Sequence, residues 1–522
     1  MHCMERGMMA INFNRRDLLK SAAALSAGSV LNSRAVASDK EQSHDVSEAG
    51  PGPFKPSWNS LRNIAIPQWL RDGKFGIYTH WGIYAVPAYS KNATWYAHNI
   101  YVKPNSDERK HHEATYGPLE TFGYKDFIPM FTASRFDPDE WAELFKNAGA
   151  RFAGPVAEHH DGFAMWDTKY SPWNAAKMGP KRNVVGELSK SIKQHGMKFM
   201  TAFHHAEHWF YFPTWDKRYD VSDPRYSGLY GVSHEPHVLP TKEFLDVWIG
   251  KLMEVVDAYD PDLVWFDYGL RLVQQRYKQD FLTYYFDRAA KLHKEVTVTY
   301  KGHDLTPGVG IYDLELGREA NMTYSEWITD TTIDSGSGWG YVSDLGFKSA
   351  DELVTGLVDR VSKNGYLLLN VGPKPDGTIP DPAKERLHAM GEWLRINGEA
   401  IYNTSPWFVA AEGPTQFKKS GAFNEDNDIH YTPQDIRYTC RDNVLYATCL
   451  TWPGDKAFFT SLVPKGETWT GLYPSEIESI TMLGSDEPLH WEFTPEALAV
   501  TTPRKKPCDH AFAFKFTLKK PF

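Results

Sequence analysis

The sequence predicts an α/β protein, a (β/α) TIM-like barrel followed by a C-terminal antiparallel β-sandwich. Three observations carry this. From Trp58 onward, short continuous apolar runs alternate with amphipathic helical patterns, as expected of buried parallel strands covered by helices. Seven or eight such units over about 340 residues suit a closed barrel better than an open sheet. Beyond about Pro406 the helical periodicity stops and short β-rich runs take over.

In chain order, residues 1–37 read as an export signal of the twin-arginine type. Arg15 and Arg16 precede a weakly apolar run from Leu18 to Leu31, and Ala35, Val36 and Ala37 resemble a small-residue cleavage site. The expected location is the bacterial periplasm or cell envelope. Residues 38–56 are polar and rich in Pro and Gly, a tether. The barrel is expected over 57–407. Its strand candidates are FGIYTHWG near 75–82, RFAGPVAEHH near 151–160, KFMTAFHH near 198–205, DLVWFDYG near 262–269, VTVTYK near 296–301, GIYDLEL near 310–316 and YLLLNVG near 366–372. Between them, Phe244, Leu245, Trp248, Ile249, Leu252, Val255, Val256 and Tyr259 recur at three- and four-residue spacing, one apolar stripe of a helix. Similar patterns occupy 351–363 and 383–396. The sandwich is expected over 408–522, from runs such as IRYTC, VLYATCLTW and AFAFKFTL.

Composition narrows the function. The 57 Lys plus Arg against 66 Asp plus Glu give a net charge of −9 with no basic block, which argues against nucleic acid as a partner. No stretch reaches the 18 or so apolar residues of a membrane span, so no integral membrane segment is expected in the mature chain. Four cysteines cannot form a disulfide framework in 522 residues. Pairing of DIRYTC with VLYATCL through Asp442 and Asn443 sets Cys440 opposite Leu445, not Cys449, so both are expected as unpaired buried thiols. The aromatic content of 14% supplies rings that suit a sugar cleft and a large core equally well.

Reactive groups of such a barrel gather at the C-terminal ends of its strands. His80 and Trp81 end the first run, Glu158, His159, His160 and Asp161 the second, and His204, His205, Glu207 and His208 the third. Asp267 ends the fourth, Lys301, His303 and Asp304 the fifth, and Glu315 with Arg318 the sixth. Strand alternation puts His159 and His160 on opposite sides, so at most one need face a site. Asp267 follows four apolar residues, where an ionised carboxylate is costly unless used or paired. HHAEH is not the helical HExxH arrangement and no CxxC occurs, so no metal and no other cofactor is expected.

These residues sit in blocks that resemble the α-L-fucosidases of glycoside hydrolase family 29. KFGIYTHWG (74–82), AEHHDGFAMW (157–166), DLVWFDYG (262–269), SGWGY (337–341), NGYLLLNVGPKPDGTIP (364–380) and GEWLRINGEAIYNTSPW (391–407) occur in the family's order. The resemblance implies a retaining exo-acting enzyme that removes terminal α-L-fucose from fucosylated oligosaccharides or polysaccharides. It implies Asp267 as nucleophile, His80, His159 and His160 on the sugar hydroxyls, and Tyr78, Trp265 and Trp339 around the ring and its methyl group. Trp81, Trp95, Tyr96, His204 and Arg318 are added as substrate contacts. Two departures stand out. Thr94 occupies a position that is Glu in many relatives, and Ile328 replaces the Glu that follows the Trp327 position, so the acid/base must lie elsewhere. Glu315 is similar to the acidic position used by another part of the family, with Glu319 and Glu326 in reserve. A retaining exo-glycosidase for a related sugar such as an L-galactoside, or an inactive fucose-binding homologue, remain as alternatives. The long loop from about Ser90 to Gly123 is expected to shape the leaving-group side.

Overall fold

The structure, a computed structural model, describes residues 52–336, 338–425, 429–464 and 471–522. The expected signal at 1–37 and the tether up to residue 51 lie outside them, as does Cys3.

Eight parallel strands close a barrel in sequential order: β1 (Phe75–Thr79), β2 (Phe152–Glu158), β3 (Lys198–Phe203), β4 (Leu263–Phe266), β5 (Thr297–Tyr300), β6 (Ile311–Asp313), β7 (Trp327–Thr332) and β8 (Gly365–Val371). β8 pairs with β1 in register Leu367 to Phe75 through Val371 to Thr79, which closes the ring. Side chains alternate across each strand. Tyr78, Phe152, Val156, Met200, Leu263, Trp265, Ile311, Ile328, Tyr366 and Leu368 therefore fill the interior together. The strand pairs run close enough that a Cβ on Gly154 of β2 would lie 1.6 Å from the Met200 carbonyl oxygen of β3, so only glycine fits there.

The helices form where the apolar stripes indicate. Lys242–Tyr259 starts with Thr241 accepting from the Phe244 N–H and buries Phe244, Leu245, Trp248, Ile249, Leu252, Val255 and Val256. It stops at Asp260, a left-handed residue at φ 46°. Ala350–Ser362 begins with a capping box of Ser349 and Glu352. Asp381–Asn397 lies where the third periodic stretch falls. Among the described residues no helix is long and apolar enough to cross a membrane.

The C-terminal part holds a five-stranded antiparallel sheet of β9 (Ser405–Glu412), β10 (Ile436–Arg441), β11 (Val444–Cys449), β13 (Ile477–Met482) and β16 (Phe512–Leu518). A three-stranded sheet of β12 (Lys456–Phe459), β14 (Trp491–Phe493) and β15 (Leu498–Thr501) completes it. Trp407, Tyr438, Phe459, Phe514 and Phe516 are buried in one core with residues of both sheets. The sandwich starts at Ser405, since β9 spans the boundary drawn at 407. At the other end, Phe54 donates its N–H to Asp287 at 2.9 Å and packs on Phe286, so the last tether residues dock on the barrel. Cys440 faces Leu445 across the hairpin, and Cys440, Cys449 and Cys508 are free thiols, although Cys440 is only half-buried.

The two parts are joined by buried charge. Arg437 Nε of β10 lies 2.6 Å from Asp359 of helix Ala350–Ser362, and Lys363 donates to the other Asp359 oxygen at 2.9 Å. The long β9–β10 connection also reaches back to the barrel as an arm. Gly421 exchanges backbone hydrogen bonds with Arg318, Phe423 N–H donates to the Glu315 carbonyl at 2.7 Å, and Glu425 N–H to that of Leu316 at 2.8 Å. The Glu425 carboxylate accepts from Thr331, Lys348 and Arg360. Burial alone would push its pKa up, but Lys348 and Arg360 bring it down to about 2.

Arg437→Ala, which leaves Asp359 buried beside Lys363 alone, is expected to cost about 3 to 5 kcal/mol. Arg135→Ala, at an exposed pair 3.8 Å from Asp376, leaves stability close to the parent's. Thermal and urea midpoints of the two variants measure the contrast.

Candidate active site

At the C-terminal mouth of the barrel a cavity of about 260 Å³ is lined by four imidazoles, His80, His159, His160 and His204, and three indoles, Trp95, Trp265 and Trp339. Three carboxylates, Asp267, Glu315 and Asp330, and Thr94 complete it. These groups lie in or follow six strands, β1 to β4, β6 and β7, so the closed sheet brings together residues up to 259 positions apart, from His80 to Trp339.

The imidazoles fall into distinct protonation states that their partners dictate. His80 Nδ1 donates to Asn370 Oδ1 at 2.8 Å, and Asn370 is oriented by its own Nδ2 donating to the Trp339 carbonyl. His204 Nδ1 donates to Asp267 Oδ2 at 3.0 Å. Both rings are then neutral, with a lone pair left on Nε2. His204 Nε2 and His159 Nδ1 have no hydrogen-bond partner among the described residues. Burial holds all three below the ordinary histidine value, His80 and His159 well below it. His160 differs, because Nδ1 faces the His204 carbonyl at 3.1 Å and Nε2 faces Asp267 Oδ2 at 3.2 Å. Two acceptors require two protons. Burial works against that cation, but Asp267 outweighs it and the pKa is raised.

Asp267 thus receives His204 and the His160 imidazolium on one oxygen and has Lys301 Nζ 3.7 Å from the other. Burial would raise it, yet His204, His160 and Lys301 together hold it well below the usual carboxylate range. Glu315 goes the other way. Burial pushes it up to about 7, Asp330 and Asp267 add to the rise, and Lys301 only partly offsets them. Two carboxyls of one cavity therefore differ in charge near neutral pH.

Lys301 links them. Its ammonium is fully buried and lies 2.7 Å from Glu315 Oε2 and 3.2 Å from Asp330 Oδ1, with Asp313 at 3.9 Å. Burial would strip its proton, but Asp330, Glu315, Asp313 and Asp267 hold its pKa well above the usual value. The same acids fix the floor: Tyr78 donates to Asp330 at 3.0 Å and Trp265 Nε1 to Asp313 at 2.6 Å. Burial, then the adjacent Asp330, push Asp313 well above the usual carboxylate range. Trp339 sits over the cavity at φ 54°, a left-handed conformation that costs about 1 to 2 kcal/mol.

The structure corrects several expectations. His159 and His160 both line the cavity, because β2 ends at Glu158 and strand alternation no longer applies to them. Trp81 turns into the core between Phe131, Phe136 and Trp141 and donates to the Lys374 carbonyl. Tyr96 is buried with its hydroxyl on His112. Arg318 points away from the cavity and stacks on Phe417 at 4.3 Å. Tyr78 lies beneath the cavity, its ring against those of His80, Trp265 and Trp339. Glu326 is at the opposite end of the barrel, where β7 begins, bound to Arg71 and Tyr366. Glu319 does not line the cavity. Ile328 is fully buried in the barrel interior.

The third-strand histidines separate: His205 pairs with Glu158 at 2.6 Å and His208 donates to the His160 carbonyl at 2.7 Å. Ring nitrogens of His80, His159 and His204, and likewise ligand atoms of His160, His204 and Asp267, do lie within 4.8 Å of one another. In the second group Asp267 and His160 are already committed to each other. In the first, fixed lone pairs equally suit hydroxyl donors. Asp313 and Asp330 are the site groups that the sequence reading missed, and Lys301, named there as a strand-end residue, had no role assigned to it.

Comparison with known proteins agrees with this architecture. The family model described as Alpha-L-fucosidase matches residues 41–399, and that described as Alpha-L-fucosidase C-terminal domain matches 427–517. Tissue alpha-L-fucosidase of Rattus norvegicus is 31% identical over 479 residues, covering 90% of this chain and 93% of the relative. The Homo sapiens tissue enzyme is 30% identical over 479 residues, covering 90% and 92%. The crystal structure of Thermotoga maritima alpha-fucosidase in complex with fucose matches with a TM-score of 0.71 at 32% identity, covering 89% of this chain and 100% of that one. On these matches the chain belongs to the α-L-fucosidases of glycoside hydrolase family 29.

Proposed function

We propose that the enzyme releases terminal α-L-fucose from fucosylated glycans with retention of configuration, Asp267 acting as nucleophile and Glu315 as acid and then base. The observation that carries this is the Lys301 bridge between the two carboxyls, which hold opposite protonation states. Lys301 Nζ lies 3.7 Å from Asp267 Oδ1 and 2.7 Å from Glu315 Oε2, so these oxygens are no more than about 6.4 Å apart, the two distances end to end. That bound accommodates the about 5 to 5.5 Å of a retaining pair.

In the first step Asp267 attacks the anomeric carbon while the glycosidic bond breaks and Glu315 passes its proton to the departing oxygen. Asp267 becomes a neutral ester. Its charge, which raised the Glu315 pKa, is gone, so Glu315 stays ionised beside Lys301 and can take a proton from water. That water attacks the anomeric carbon and frees Asp267. The neutral imidazoles offer acceptors to the sugar hydroxyls, and Trp95, Trp265 and Trp339 offer apolar faces to the 6-deoxy ring. The Arg15–Arg16 pair and the Leu18–Leu31 run support export to the periplasm or envelope.

Asp267→Gly is expected to lose about 10⁴-fold or more in kcat, and azide should restore turnover of an activated aryl fucoside with an inverted product seen by NMR. Glu315→Ala should lower kcat/KM for methyl fucoside about 10²- to 10⁴-fold and spare kcat/KM for activated aryl substrates, whose kcat falls because the second step loses its base. Wild-type behaviour of Glu315→Ala on both substrates would remove Glu315 from the mechanism. Because Glu315 must start protonated, kcat/KM should fall as pH rises through about 7; an α-L-fucosyl fluoride, which needs no proton, should lack this alkaline limb. Trp95→Ala, at the cavity wall, should raise KM with little thermal shift. Trp81→Ala should instead cost about 3 to 5 kcal/mol of stability.

A further inference from the structure

Of the aromatic side chains in the arm between β9 and β10, Phe417 and Tyr431 stack with the cations Arg318 and Arg437, and Phe423 does not. Phe423 is 63% exposed, although its backbone is pinned by the 2.7 Å hydrogen bond to the Glu315 carbonyl and flanked by the Gly421 and Glu425 bonds to the same loop. Its ring lies 6.2 Å from that of Tyr268 at an interplanar angle of 16°. Tyr268 directly follows Asp267, is only half-buried, and has its ring centroid 5.1 Å from Lys301 Nζ, the atom that contacts Glu315. One ring comes from the barrel and the other from the C-terminal arm. Together they form a near-parallel pair beside the acid.

Neither ring belongs to the cavity wall, whose aromatic faces are Trp95, Trp265 and Trp339. The oxygen that Glu315 protonates is the glycosidic one, so the alcohol bearing it must lie on the Glu315 side of the cavity. A large exposed apolar face on a fixed backbone suits the C–H face of a pyranose, whose hydroxyl edges stay in water. We infer that Phe423 and Tyr268 form a binding site for the sugar to which fucose is attached, a pyranose leaving group. This rests on Glu315 as the acid. Binding energy gained there, remote from the reacting carbon, enters kcat/KM, so the enzyme should favour ring-bearing leaving groups over simple alcohols.

Phe423→Ala tests this while keeping the backbone N–H that holds Glu315. The quantity to measure is the ratio of kcat/KM for a fucosyl disaccharide to that for methyl α-L-fucoside, since both need the proton from Glu315 and only the disaccharide carries a leaving ring. Loss of about 1.4 kcal/mol of stacking lowers this ratio about tenfold, and Phe423→Trp restores it to within about threefold. An unchanged ratio overturns the site, as does an equal fall for both substrates, which would mean that Phe423 acts through the geometry of Glu315. Glu315→Ala keeps the underlying reading separate: its kcat/KM should fall for methyl α-L-fucoside and hold for α-L-fucosyl fluoride, and without that contrast Glu315 is not the acid and this site fails with it.

Discussion

A single ammonium buried among four carboxyl groups is the constraint around which this mouth is organised. An ionised carboxylate without water or a partner is too costly to keep in a protein interior, and here Asp267, Glu315 and Asp330 line one cavity while Asp313 holds the Trp265 indole of its wall. Lys301 lies within 4 Å of each and is itself fully buried, so every one of these interactions acts with little screening. Geometry follows from charge. Asp330 and Asp313, held by Lys301, in turn fix Tyr78 and Trp265, and those two rings set the shape of the cavity floor.

The second cation, the His160 imidazolium, separates the roles of the acids. Asp267 faces His160, His204 and Lys301, whereas Glu315 has Lys301 alone against two acidic neighbours. The same folded environment thus keeps one carboxyl ionised and the other near half-protonated at neutral pH. In the proposed mechanism Asp267 becomes an ester as Glu315 becomes an anion, so the number of charges around Lys301 does not change. Only their positions do, which requires little reorganisation of a rigid barrel mouth.

Most of the barrel was legible because buried parallel strands are continuous apolar runs. The exception is β7, Trp327–Thr332, where three threonines and Asp330 interrupt the pattern that marks the others. Its polarity is the reason it escaped notice, and Asp330 was lost with it. Trp81 and Tyr96 were misplaced for a different reason: each adjoins a true cavity residue, His80 or Trp95, but its neighbour's side chain faces the cavity and its own faces the core. The histidine pair at 159 and 160 escaped the same logic because the strand had already ended. Lys301 was visible as a strand-end residue, but its four partners come from three other strands, β4, β6 and β7, a convergence that no local pattern records. Phe423 lies 156 positions after Asp267, in an arm without periodicity, and only the folded chain brings it to Tyr268.

The arm has a consequence for how such a protein can be inherited. The loop that carries Glu315 is held by backbone hydrogen bonds from residues 421–425, which the chain reaches only after β9 has entered the C-terminal sheet. Among the described residues the sandwich contributes none that lines the cavity, yet it sets the departure and return of the segment that braces Glu315. A recombination event that exchanged one sandwich for another would therefore also exchange that brace. Barrel and sandwich form a single heritable unit although each has its own core, and divergence in the arm offers a route to new behaviour that leaves every cavity residue untouched.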